Sequence, residues 1–396
     1  MEPGMDVAII ADDLTGAADS ALEFTAPGRQ VEVVLGVLIP NGADVLAVDV
    51  DSREVAPTEA ARRVAEAVHS LAAQAPRLWY KKLDSTLRGN VAAELTAFAD
   101  STRCSLLLVA PAFPAQGRGY IDGALWVDAS SNGRGSMARH LPSMLAEAGR
   151  TVGLVSLRQV HEQRALLSER LRAMKPGSIA IADAVTDSDL DSIVAAMEAS
   201  GRRVAYAGSA GLAAAIGRTG GAHIRDAQPL GGPSRRLLIV GSLHPAARRQ
   251  LARAASQVGP PIVWPGDRAS PAMLPVGADV AAAFHCHDAL ILATPDAVAD
   301  NPRDTAARFA TAAARLITGG EVRRVFCTGG EVARAVSERL GIHRFSVEGR
   351  VQEGMPALRA EDGMPGLVMV TKAGGFGDED SVLRACSYLA GVGGVG

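Results

Sequence analysis

The chain reads as an α/β protein of two three-layer domains, each built on a largely parallel sheet. Three observations predict this. Short β-branched or aliphatic runs alternate with longer alanine-rich amphipathic stretches, the pattern of strand-helix-strand units. A length of 396 residues exceeds one ordinary core and suits two units. Hydrophobic residues make up 48% and aromatics only 4%, with 42 glycines, a mix that favours close packing of helices on a sheet over a disordered or fibrous chain.

From the N-terminus, residues 7–10, 31–35 and 45–48 are apolar runs of strand length. Residues 57–71 follow as a helix, with Pro57 in its first turn, where a missing N–H costs nothing. A strand is expected at 106–109, then a glycine-rich loop over 117–135 that reads as functional rather than core. Helix 163–174, strand 179–181 and helix 190–199 continue the alternation. Gly220-Gly221 and Gly231-Gly232-Pro233 break periodicity over 218–236, which divides a domain at 1–225 from one at 234–396. In the second domain, strands at 237–240, 289–292 and 325–327 are spaced by helices at 246–258, 304–317 and 331–340. No repeat of 20 to 50 residues is visible, which excludes a solenoid.

Charge and cysteine usage narrow the class. Forty basic and 43 acidic residues give a net charge of −3, with no block of five like charges, so no nucleic-acid partner is expected. Cys104, Cys286, Cys327 and Cys386 are widely spaced and form no CxxC pair, as in a reduced cytoplasmic protein. The start of the chain is short and acidic before its first apolar run, which two aspartates end. That is neither a signal peptide nor a membrane span, and no membrane partner is expected.

Polar residues cluster just after the apolar strands, where open α/β sheets bind ligands. Asp12 and Asp13 end the first strand. One of them suits a helix cap, but two acids exceed what a cap needs. Arg53, after Val48-Asp49-Val50-Asp51-Ser52, has the planar fork that clamps a carboxylate. The segment from Tyr80 to Asn90 packs Lys81, Lys82, Asp84, Ser85, Thr86, Arg88 and Asn90 into one stretch suited to an anionic ligand. In the second half, Gly241-Ser242-Leu243-His244-Pro245 runs from a strand into a helix, a turn whose backbone N–H groups can hold an anion. Gly329, Gly330 and Glu331 form a similar turn, and Gly354 and Gly374 mark two more. Glycine there lets the main chain approach a phosphate or a flat ring.

Other motifs fail. There is no GxxxxGK[ST], no GxGxxG after a strand, and Gly208-Ser209-Ala210-Gly211 lacks the spacing of a nucleophile elbow. His285-Cys286-His287-Asp288 resembles a metal cluster, but zinc usually takes three or four protein ligands and no second cluster is evident, so no protein-held metal is expected.

Taken in order, ADDLTGAAD at 11–19, DSR at 51–53, KKLDSTLRGN at 81–90, PAFPAQGR at 111–118, GSAGLA at 208–213, GSLHP at 241–245, TGGE at 328–331 and TKAGGFG at 371–377 resemble the four-carbon acid sugar kinase family along essentially the whole chain. The resemblance implies an N-terminal acid-sugar-binding domain facing a C-terminal nucleotide-binding domain across an interdomain cleft that holds the active site. By that likeness Asp12, Arg53, Lys81, Lys82, Asp84 and Ser85 contact a small acid sugar, and Ser242, Gly329, Gly330, Glu331, Gly354 and Gly374 contact ATP. Asp12 or Asp13 would orient and deprotonate the terminal hydroxyl of a threonate, erythronate, 3-oxo-tetronate or hydroxythreonine-like acid in carbohydrate acid catabolism. Mg²⁺ would be held mostly by phosphate and water, and the resemblance leaves room for a homodimer. Two alternatives stay open: an aspartate-nucleophile phosphatase, because Asp49-Val50-Asp51 imitates DxD, and a two-domain acid-sugar sensor without turnover.

Overall fold

The computed structural model describes residues 4–36, 42–127, 140–224, 226–232, 234–259, 262–263, 284, 288–295, 302–319 and 321–391. The chain divides into two compact units, Met1–Ile224 and Arg225–Gly396. Both are α/β, as expected from the alternation of runs.

Unit 1 comprises β1 (Val7–Ala11), α1 (Leu14–Leu22), β2 (Val31–Leu35), β3 (Val45–Asp49), α2 (Pro57–Ala72), β4 (Leu78–Lys82), α3 (Val91–Thr102), β5 (Leu106–Ala110), β6 (Arg118–Ile121) and β7 (Ala124–Val127). It continues with α4 (Leu141–Glu147), β8 (Val152–Val155), α5 (Leu157–Val160), α6 (Arg164–Ala173), β9 (Ser178–Ala182), α7 (Asp187–Ala199), β10 (Val204–Gly208) and α8 (Ala210–Thr219). The sheet order within the unit is β2-β3-β1-β4-β10-β5-β9-β8, every pairing parallel. Strands β1, β3, β5 and β9 are buried at every residue, as in a sheet covered on both faces. Chain order reverses beside β1, where β3 leads to one side and β4 to the other, the position at which such sheets bind ligands.

Several elements differ from the sequence expectation. The segment after Asp13, absent from the helices read from sequence, is the helix α1, buried at all nine residues and capped by Asp13. Gly16, Ala17, Ala18 and Ala21 let it sit tightly on β1, β2 and β3, and burial on all sides leaves no amphipathic period to detect. The polar stretch at Tyr80 to Lys82 is the end of buried strand β4, lysines included. The first part of the 117–135 loop is an ordered hairpin, β6-β7, while residues 128–135 lie outside the described residues.

Unit 2 comprises β11 (Arg236–Val240), α9 (Pro245–Val258), β12 (Ile262–Val263), β13 (Ala289–Ala293), α10 (Pro302–Gly319), β14 (Arg324–Thr328), α11 (Gly330–Arg339), β15 (Arg344–Gln352), β16 (Met355–Ala360), β17 (Val368–Lys372) and α12 (Ser381–Ala390). Within the unit the strands run β12-β13-β11-β14-β17-β16-β15; the pairings up to β17 are parallel and the last two antiparallel. Its core packs Leu238, Val240, Ile291, Phe326, Met355, Val370, Val382 and Leu389, from the central strands and α12. His285, Cys286 and His287 lie outside the described residues.

Candidate active-site residues in the two units

Parallel register brings the unit 1 candidates to one edge. Ala11 pairs with Asp49 and Ile10 with Lys81, so the segments leaving β1, β3 and β4 emerge side by side at their carboxyl ends. Asp13 caps α1: its Oδ1 accepts from the Gly16 N–H at 2.8 Å and its Oδ2 from the Thr15 hydroxyl at 2.9 Å. A Cβ on Gly16 would stand 2.7 Å from that Oδ1 and 3.2 Å from the Lys82 Nζ, so the turn requires glycine.

Arg53 sits inside this group rather than at its rim. Its Nε and Nη2 donate to Asp12 at 2.7 and 3.0 Å, its Nη1 to Asp13 at 2.6 Å, and its Nη2 lies 3.5 Å from Asp84. Asn90 donates to the carbonyls of Ser52 and Val55, which holds the loop carrying Arg53. Gly89, at φ +81°, leaves room for the Arg53 stem that a Cβ would meet at 3.2 Å.

The two aspartates have different environments. Burial pushes the Asp12 carboxyl up, with the Asp13 and Glu94 charges adding to it and Arg53 opposing. Burial acts on Asp13 in the same sense, but Arg53, Lys82 and the Gly16 N–H outweigh it and hold that carboxyl down. Such a split is how two neighbouring carboxyls take different roles.

Lys81 and Lys82 point to opposite faces of β4, as strand alternation requires. Lys81 is fully buried and pairs with Glu94 of α3 at 2.8 Å, an acid with no part in the sequence expectation. A buried ammonium demands such a partner, and that demand was its available signal. Lys82 donates to the Leu83 carbonyl at 2.7 Å, beside Asp13. Asp84 organises its own turn, accepting from Thr86 N at 2.9 Å and Arg88 Nη2 at 2.6 Å. Burial would raise its carboxyl, but Arg88 and Arg53 hold it well below the usual range. Ser85 accepts from Arg118, a half-buried guanidinium on β6 that the sequence reading passed over as a site residue even though it ends the PAFPAQGR motif.

The phosphatase-like acids are used structurally. Asp49 is fully buried and accepts from the Asp51 N–H at 2.9 Å; Asp51 adopts φ +50° and pairs with Arg63 at 3.2 Å.

In unit 2, β11, β14 and β17 are parallel neighbours with Val240, Thr328 and Lys372 in register, so the three following turns converge. A Cβ on Gly374 would stand 2.0 Å from Ser242 Oγ, and one on Gly375 3.2 Å from His244 Nε2. Gly329, at φ +101°, donates its N–H to the Lys372 carbonyl at 3.0 Å and precedes α11, where Gly330 and the exposed Glu331 stand in the first turn. Ala357 pairs with Val370 in antiparallel register, so the turn holding Gly354, at φ +70°, lies at the same end as the carboxyl end of β17. All six candidates of this unit therefore share one edge. Among the described residues, no three His, Cys, Asp or Glu side chains are grouped to hold a metal ion, and no helix is long and apolar enough to cross a membrane.

A family model for a sugar-binding N-terminal domain matches residues 7–216, and one for a nucleotide-binding C-terminal domain matches residues 237–382. The chain is 35% identical over 410 residues to a D-threonate kinase of Cupriavidus necator, covering 95% of this chain and 96% of that protein. It is 31% identical over 429 residues to a 3-oxo-tetronate kinase of Methylobacterium radiotolerans, covering 96% and 98%. The crystal structure of a Salmonella typhimurium LT2 protein matches with a TM-score of 0.74 at 21% identity, covering 96% of this chain and 98% of that one, a likeness of fold alone.

Proposed function

Because this chain belongs to the four-carbon acid sugar kinase family, with both family models matched and relatives at 31% to 35% identity along nearly its full length, we propose that it transfers the γ-phosphoryl group of ATP to a hydroxyl of a four-carbon acid sugar. It is a phosphotransferase with an alcohol acceptor. The observation that carries the acid site is the set Asp12, Asp13, Arg53 and Asp84, drawn together at the carboxyl edge of the unit 1 sheet.

Phosphoryl transfer needs positioning and charge neutralisation more than covalent help. In this reading Asp12, the aspartate whose proton affinity is raised, takes the proton of the terminal hydroxyl, and Asp13 caps α1. Arg53 aims Asp12 through two hydrogen bonds and offsets the neighbouring acids, which revises its expected part as the substrate-carboxylate clamp. Lys82, Ser85 and Arg118 then face the acid's carboxylate, while Lys81 supports from within through Glu94. In unit 2, Ser242, Gly329, Gly330, Glu331, Gly354 and Gly374 line the nucleotide. Mg²⁺ fits as the nucleotide's own counter-ion, offsetting phosphate charge with water and phosphate ligands, since the described acids form no cage for it. Cys104, Cys327 and Cys386 are free thiols, which suits a cytoplasmic setting.

The test is ATP consumption by the full chain across threonates, erythronates, their 3-oxo forms and hydroxythreonine. Turnover that requires one of these acids is expected. Phosphate release without acid, or acid binding without any ATP turnover, would overturn the reading.

A further inference from the structure

One buried cation in unit 2 has no part in the site so far. Lys372, the last residue of β17, is fully buried, and its Nζ donates to the carbonyls of Ala373 and Phe376, both at 2.9 Å. Those carbonyls bracket Gly374 and Gly375, the turn that meets Ser242 and His244. Gln250 of α9 also donates to the Phe376 carbonyl at 2.9 Å, so the far end of the turn is held twice. Among the described residues no carboxylate pairs with Lys372, in contrast to Lys81 and its Glu94. A buried charge without a counter-charge is costly, and the cost falls when an anion arrives.

We propose that Lys372 is a positioning residue for the nucleotide: its ammonium ties Ala373 to Phe376, sets the Gly374-Gly375 turn against Ser242 and His244, and places a positive charge behind that turn which the bound phosphates neutralise. The inference rests on assigning unit 2 to the nucleotide.

A pH signature follows. Burial pushes the Lys372 ammonium down to about 7. Nearby phosphate charge raises it, so the complex holds the proton more tightly than the free protein does. Affinity is therefore greatest below about 7, where the free lysine is already protonated, and falls as pH rises through that value. Binding takes up protons in that window. The other titratable groups on surrounding elements are His244 ahead of α9, Cys327 on β14, Glu331 on α11, and Asp378 and Asp380 before α12. Burial pushes the Cys327 thiol up, out of contention; Arg384 hydrogen-bonds Asp378 and holds it down; Asp380 pairs with Arg253 at 2.8 Å. His244 is the imidazole among these groups, the side-chain type whose ordinary range lies near neutrality, and so it is the control.

The experiment measures ADP binding, with excess Mg²⁺, to the full chain by calorimetry over a neutral-to-alkaline series. Wild-type affinity is expected to fall by up to about tenfold per pH unit in the window. Lys372→Met is expected to bind ADP on the order of tenfold more weakly at neutral pH, without the slope and with acid binding unchanged. His244→Gln keeps the slope. If Lys372→Met matches wild type in affinity and slope, or His244→Gln removes the slope, the Lys372 inference is wrong and the nucleotide assignment stands. Failure of the wild type to bind ADP would overturn the assignment itself. Should Lys372→Met not fold, the wild type in two buffers of different ionisation enthalpy decides: proton uptake on ADP binding supports the role, and none overturns it.

Discussion

At the scale of single residues, the proposed division of labour between Asp12 and Asp13 rests on what surrounds each. Asp13 answers to Gly16, Lys82 and Arg53 and is held down; Asp12 is raised by burial with Asp13 and Glu94 beside it. A base works ionised, so a raised value moves the acidic limb of kcat above the ordinary carboxylate range, and activity falls as pH drops through it. Asp12→Asn keeps an acceptor for Arg53 and should fold normally while losing about a hundredfold or more in kcat, measured by steady-state turnover. Near-normal kcat, or an unchanged acidic limb, would return the role to Asp13. Arg118→Met, by contrast, should raise the acid's KM and spare that of ATP; an unmoved acid KM would remove Arg118 from the site. The acids and Arg53 were legible because polar residues after an apolar strand have few other reasons to gather. The separate fates of Lys81 and Lys82 were not, since adjacent residues on a strand face opposite ways and only the fold reveals which face holds Glu94.

At the scale of elements, the edge proposed for the nucleotide is made by close approach. Gly374 has no room for a Cβ beside Ser242 Oγ, and Gly329 sits at a φ that only glycine adopts freely. Gly374→Ala must push the β17 turn off the β11 turn. At about 1–3 kcal/mol of local strain, the KM for ATP should rise by roughly five- to hundredfold with the acid KM unmoved in initial-rate kinetics. An unchanged ATP KM would mean that the turn does not meet the nucleotide. Strands β1, β3, β5 and β9 were readable as continuous apolar runs because a doubly covered strand has no polar face to show, whereas β4 and β17, which end in buried lysines, were not named as strands. The same burial hid α1, which is apolar or small on every side. The antiparallel pair β15-β16 escaped for the opposite reason: its exposed face carries charges that pair across strands, as Arg359 does with Glu348 at 2.8 Å, and so reads as solvated chain.

At the scale of the whole molecule, the assignment of acid to unit 1 and nucleotide to unit 2 makes two ligand responses separable. A ligand that binds only the folded form stabilises it by about 2.7 kcal/mol at a hundredfold excess over its Kd. For domains of this size that corresponds to roughly 5–10 °C in Tm. Calorimetric melting of the full chain should therefore show an upward shift with ADP that Gly374→Ala removes and Asp12→Asn leaves in place. The shift produced by the acid should survive Gly374→Ala, because that glycine belongs to unit 2 and shares its edge there with Ser242 and Gly329. Loss of the acid shift in Gly374→Ala with the ADP shift intact would reverse the assignment of ligands to units. On the proposed assignment each half of the chain takes a different anion, the acid in one and the nucleotide phosphates in the other, and the reaction needs both at once. The crossed variants read each half without requiring turnover, so they test the assignment even where a substitution abolishes catalysis.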